Sequence, residues 1–224
     1  IIKQLYYPES PYSFSVFSSD ILGSIYEIFL SKRLTIKNRN IESVRKPENV
    51  DRDIITTPYF IIKAIIDKTV IHFCEGKTDT AILNSKMADI ACGSGAFLLE
   101  LFQSLNDILV DFYLVNDKTK LIQTNINTYK LPFNLKREIL LNCIFGMDKD
   151  FNAVEATKFG LLLKLLDGED NNSVCEINPV LPDLNSNIHY GNSLITPQDV
   201  KDKKTMSEIN PFDFVNERYD VIVG

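Results

Sequence analysis

What the chain lacks removes several classes of protein. No apolar run in its 224 residues is long enough to cross a bilayer. The opening IIKQLYYPESPYSF has no basic segment followed by an apolar one, so no secretory leader is expected. There are four cysteines, Cys74, Cys92, Cys143 and Cys175, none in a C-x-x-C pair, and two histidines, His72 and His189. That pattern speaks against a zinc framework or a disulfide scaffold, and the setting is expected to be reducing and cytoplasmic. A basic excess is also missing, because the formal net charge is −6. Free-standing nucleic-acid-binding domains are usually basic. Nucleic acid would therefore be held mainly by parts outside this sequence, or by a local patch such as SKR or IKNRN. There is no G-x-x-x-x-G-K-[ST] phosphate loop. The full G-x-G-x-x-G is absent too, since Leu98 stands at its third glycine. Neither an internal repeat nor a low-complexity segment is present.

What remains is an ordinary globular composition, 45% hydrophobic and 24% charged. The sequence starts without Met and stops on Gly224, and it reads as a piece of a longer protein. Apolar positions at helical spacing predict a helix over 20–34, with Asp20 at its N-cap. Residues 35–55 read as a polar loop or linker. A second helix is predicted from Pro58, with Thr57 at the N-cap. Residues 1–55 thus read as a small helical unit with its linker, and 56–224 as a second, α/β unit. In the latter, short apolar runs at MADIA, CIFGMD, IHYGNSL and YDVIVG alternate with helices. The strongest helices are AFLLELFQSLNDILVDFYL and FNAVEATKFGLLLKLLDG. Strand–helix alternation predicts parallel βαβ units in an open sheet.

The stretch ADIACGSGAFLLE carries the chemistry. A buried strand runs into Gly93-Ser94-Gly95 and directly into a helix. Open α/β sheets bind ligands at the carboxyl ends of their strands, and a helix N-terminus there directs N–H groups at the crevice. A Cβ at Gly93 or Gly95 would crowd a close ligand. The next sheet strand ends in Asp148, which could accept hydrogen bonds from two ribose hydroxyls. The bland alternative for Asp148 is a cap or a loop charge, and Asp150 suits the cap better. Cys92 and Cys143 read as small buried hydrophobes, and Phe97 and Phe151 as core. A ligand with a nucleoside but no pyrophosphate fits this pattern.

These residues resemble a known family. DIACGSGAFL is similar to the D-P-A-C-G-S-G-x-F-L motif of S-adenosylmethionine-dependent DNA adenine-N6 methyltransferases, with Ile90 in place of the usual Pro. Within them it looks most like the methylase part of the single-chain, type IIG restriction-modification enzymes. ILGSIYEIFL, TTPYFI, IFGMDKDFNAVEATK, IHYGNSL and FDFVNERYDVIVG resemble further family segments in the same order. The resemblance implies a Rossmann-like methyltransferase sheet, truncated after its fourth strand and preceded by a small helical unit. It implies S-adenosylmethionine as cofactor, held by Thr57, Pro58, Asp89, Ala91, Cys92, Gly93, Gly95, Phe97, Asp148 and Asn192. Asn192 would contact the adenine, and Thr57-Pro58 would pack over the methionine end. Asp89 would anchor the glycine loop or approach the cofactor's amino group. Double-stranded DNA is the implied partner, with target-recognition and nuclease regions elsewhere in the parent chain. No catalytic residue is expected within this sequence, because the family's Asn-Pro-Pro-Tyr would follow Gly224. The alternatives are a methyltransferase acting on protein glutamine or RNA, and a non-catalytic cofactor- or DNA-binding domain.

Overall fold

The computed structural model describes residues 32–37, 40–45, 57–175, 177–212 and 218–224. Among the described residues two antiparallel strands come first, β1 (Lys32–Lys37) and β2 (Asn40–Arg45). Here the sequence expectation is corrected. Residues 32–34 are strand rather than the end of a helix, and the polar segment after them contains β2 rather than only loop. Period-2 alternation in Arg33-Leu34-Thr35-Ile36-Lys37 carried the strand signal, but the density of charge hid it. The rest of the expected first helix, with Tyr26 and Glu27, lies outside the described residues.

Helix α1 spans Tyr59–Ile66 and continues through a π turn, Asp67–Ile71, to Cys74. It opens one residue later than expected. Pro58 occupies the N-cap position, and its carbonyl accepts from the N–H groups of Ile61 and Ile62. A short helix, α2 (Asp79–Leu83), is capped by the Thr78 hydroxyl. It precedes β3 (Met87–Asp89), which is buried throughout.

The long helix α3 (Ala96–Asn116) follows. Leu98, Leu101, Leu105 and Leu109 recur along one face and are fully buried. The helix packs against α1 and against two helices still to come, α4 (Phe133–Cys143) and α5 (Phe151–Leu166). Between α3 and α4 the polar residues 113–133 read from the sequence as irregular chain. The structure places a second hairpin there, β4 (Ile122–Asn125) and β5 (Thr128–Lys130). Its Lys130 and the α4 residue Lys136 both reach the carboxylate of Glu169, at 2.9 and 2.8 Å, and so tie the insertion to the segment after α5.

Strand β6 (Ile144–Asp148) follows α4, and β7 (Ile188–Tyr190) follows α5 and the short helix α6 (Asn171–Val174). A last helix, α7 (Lys203–Ile209), leads to β8 (Val221–Val223). The four strands form one parallel sheet in the order β7-β6-β3-β8. The chain therefore moves outward from β3 to β6 and β7, then returns to the other side of β3. Buried Asn187 donates to the carbonyls of Leu141 and Ile144 and holds the α4–β6 junction. Reciprocal bonds between Lys86 and Asp220 fix where β8 starts against β3. Among the described residues, no helix is long and apolar enough to cross a membrane.

Candidate functional site

Parallel pairing brings the carboxyl ends of all four strands to one edge. Asp89 ends β3, Asp148 ends β6, Tyr190 ends β7 and Val223 ends β8. The glycine loop sits at the centre of that edge, where strand order reverses, and open α/β sheets bind ligands at such points.

The loop is held from three directions. From its own strand, Asp89 Oδ1 accepts the Ala91 N–H at 3.0 Å. From the next strand, Asp148 Oδ2 accepts the Gly93 N–H at 2.9 Å, and the Met147 carbonyl accepts the Cys92 N–H at 2.9 Å. From α5, the Thr157 hydroxyl donates to the Gly93 carbonyl at 2.9 Å. The second oxygen of Asp148 accepts the Asp150 N–H at 2.8 Å. Asp150 in turn caps α5 by accepting the Asn152 N–H at 2.8 Å, the role its position suggested.

The two glycines have different reasons to be glycine. Both have positive φ, 53° at Gly93 and 87° at Gly95. A Cβ on Gly95 would lie 2.8 Å from Thr157 Cγ2, so internal packing demands this glycine, not ligand approach. A Cβ on Gly93 would meet nothing within 4 Å, so open space lies above it. Gly95 is also the N-cap of α3, which has no side-chain cap and no acid in its first turn. An anionic or hydrogen-bond-accepting group would be favoured at that helix end.

Asp89 is only 3% exposed. Burial pushes its carboxyl up to about 6, the Ala91 N–H holds it down, and the charge on Asp148 adds to the rise. The Cys92 thiol is buried and also pushed up, chiefly by desolvation, so it is not poised as a nucleophile. Its main-chain groups shape the loop, while its sulfur faces Gly146 and Thr157. Phe97 is buried in the core as expected.

Phe151 departs from expectation. It is 56% exposed and meets Tyr190 edge to face, with ring centroids 5.8 Å apart. These rings stand beside Asp148, at the ends of two neighbouring strands. Asn192 lies just past β7 and is half-buried. Its Oδ1 accepts the Leu194 N–H at 2.9 Å, and its backbone pairs with Asn210 and Phe212. Thr57 and Pro58 are exposed at the start of α1.

The edge thus brings together Asp89, Ala91, Cys92, Gly93, Gly95 and Asp148 through direct hydrogen bonds, with Asn192 on the neighbouring strand end. Sequence reading missed Thr157 and Tyr190. Thr157 had a faint signal, as a hydroxyl on the buried face that also carries Ala153, Val154 and Leu161. Tyr190 had none. Among the described residues, no group of three or more His, Cys, Asp or Glu side chains could hold a metal ion.

Residues 142–224 match the family described as the Eco57I restriction-modification methylase. Over its whole length the chain is also 56% identical to the type II restriction enzyme and methyltransferase RM.Eco57I of Escherichia coli. A second relative, from Methanocaldococcus jannaschii and named for the same type of enzyme, is 32% identical over 110 residues, 49% of this chain. Residues 142–224 thus resemble restriction-modification methylase sequence, and the whole chain resembles a part of a type II restriction enzyme and methyltransferase. It spans 22% of the length of the first relative and 8% of the second.

Proposed function

We propose that this chain is the cofactor-holding part of a DNA methyltransferase that uses S-adenosylmethionine to methylate adenine N6. Its sheet would be the Rossmann-like sheet of that class. The observation that carries the reading is the glycine loop at the strand-order reversal, with open space above Gly93 and Asp148 beside it.

The residues fit such a ligand. Asp148 spends one lone pair of each oxygen on a backbone N–H, and a carboxylate oxygen can accept a further bond. Ribose hydroxyls could take those places. Phe151 and Tyr190 offer exposed aromatic surface to a base, and Asn192 an amide. Asp89, beside the loop, would gain from a nearby cation, because its ionisation is resisted mainly by lost hydration. Thr57 and Pro58 are proposed to close over the far end of the ligand.

When bound, the cofactor supplies a methyl group already activated by a sulfonium leaving group. This chain contributes orientation. The loop bonds from Asp148 and Thr157 fix the floor on which the donor lies, and in-line positioning is a large share of such catalysis. The family's Asn-Pro-Pro-Tyr, which receives the flipped adenine, does not occur in these 224 residues. The chain by itself is therefore proposed to bind the donor without transferring the methyl.

Calorimetry with S-adenosylmethionine tests this. Binding is expected for the parent chain, with a loss of about tenfold or more in Asp148→Ala, equivalent to about 1.4 kcal/mol. Equal binding by both proteins, with the variant folded by circular dichroism, would remove Asp148 from the site. Chromatography of nucleosides from duplex DNA treated with the full-length enzyme distinguishes N6-methyladenine from other products.

A further inference from the structure

We infer that the β1–β2 hairpin is a contact for the phosphate backbone of duplex DNA. This rests on the DNA reading above and adds to it a surface that the site at the sheet edge does not use.

Charge is the first observation. Residues 31–46, SKRLTIKNRNIESVRK, hold Lys32, Arg33, Lys37, Arg39, Arg45 and Lys46 against the single acid Glu42. The chain as a whole carries −6, so its basic residues are concentrated here against an acidic background. Register is the second. Antiparallel pairing sets Lys32 opposite Arg45, while Glu42 stands opposite Thr35 and not opposite a base. Like charges directly across a strand pair destabilise it. An external anion at that end of the ribbon would offset such repulsion.

Shape is the third. Near the turn, Ile36 faces Ile41, and they are 81% and 72% exposed. An apolar pair of this kind, set between basic positions on a two-stranded ribbon, suits a DNA groove. The major groove admits such a ribbon, and thymine methyl groups offer apolar contact there. Phosphates flanking the groove would meet the basic positions, an interaction that releases counterions. An acidic protein surface could also meet the charge. The two-stranded form and the exposed Ile36–Ile41 pair favour DNA.

The test titrates a fluorescein-labelled duplex of mixed sequence with the 224-residue chain, by anisotropy, across a series of salt concentrations. The comparison is the variant carrying Lys32→Ala, Arg33→Ala, Lys37→Ala and Arg45→Ala. Expected is a low-salt affinity about tenfold or more weaker, and a plot of log K against log salt shallower by about 0.9 for each phosphate no longer neutralised. A charge-keeping variant, Arg33→Lys with Arg45→Lys, is expected to retain the slope, which separates charge from damage to the hairpin. Unchanged affinity and slope in the alanine variant would overturn the inference and leave an acidic protein surface as the partner. Failure of the parent chain to bind duplex at low salt would overturn it as well. Neither result touches the cofactor reading, which calorimetry tests separately.

Discussion

Two loops leave the same sheet edge and are built on opposite plans. The loop after β3 is partly buried and held by its neighbours: a carboxylate from β6, a hydroxyl from α5 and a carbonyl from β6. The loop after β7 is half-exposed and held by its own asparagine, with backbone pairing to residues 210–212. The first holds its shape through partners 55 and 64 residues away in sequence. The second combines a local side-chain bond to Leu194 with backbone pairing to a segment that follows α7. Tight support suits a surface that must keep a reacting group in line.

The largest break in this comparison is expected at Gly95. Gly95→Ala places a methyl 2.8 Å from Thr157 Cγ2 at φ 87°. Positive φ and overpacking together cost about 2–4 kcal/mol in urea unfolding. If Thr157 rotates to make room, it loses its bond to the Gly93 carbonyl. Adding Thr157→Ser, which removes the offending methyl and keeps the hydroxyl, is therefore expected to recover part of the loss. Simple addition of the two effects would show that Thr157 is not the obstacle.

Thr157→Val comes next. It keeps the shape and leaves the Gly93 carbonyl without its hydroxyl partner, at about 1–3 kcal/mol. Ligand binding should weaken more than stability, because the loop itself loosens.

Asp89 sharpens the comparison through pH. Its carboxyl ionises at about 6 in the folded protein, above its ordinary value of 3.8, because burial resists the charge. Between these values the folded state holds more proton than the unfolded one, so this group's contribution to stability falls as pH rises and is level above about 6. Asp89→Asn keeps an acceptor for the Ala91 N–H and removes the titration. The variant is expected to gain stability relative to the parent as pH rises from about 4 to 6, in urea melts at several pH values. A constant difference across that range would contradict the burial of this charge.

Asn192→Ala is the mildest. It removes an exposed turn bond to Leu194, worth about 0.5 kcal/mol, while its effect on cofactor affinity is expected to be larger than that. Equal small effects on both would reduce Asn192 to a turn residue.

Legibility in the sequence followed the strength of local patterns. β3, β6, α3 and α5 were readable because apolar runs and helical spacing are dense there. The two hairpins were not, because their apolar residues are few and sit among charged residues in the first and uncharged polar ones in the second. Phe151 looked like core because aromatic residues usually are, yet its place just past the end of β6 leaves it exposed beside Tyr190. The first turn of α1 shifted by one residue because Pro58 takes the cap position itself.

By itself the sequence determined the strand–loop–helix at Ala88–Glu100, the acid at the end of the following strand, and the resemblance to a family that shares them. Periodicity and glycine placement are local properties, and they survive without knowledge of neighbours. Tertiary structure alone decided why each glycine is needed and what the acid does. The Thr157 methyl beside Gly95 and the Asp148 carboxylate on the Gly93 N–H come from residues far along the chain. Parallel pairing of β3 with β6, and the packing of α5 beside the loop, bring them there. The turn that could have been only a turn is thereby divided, with Gly95 serving the packing of the protein and Gly93 facing open space.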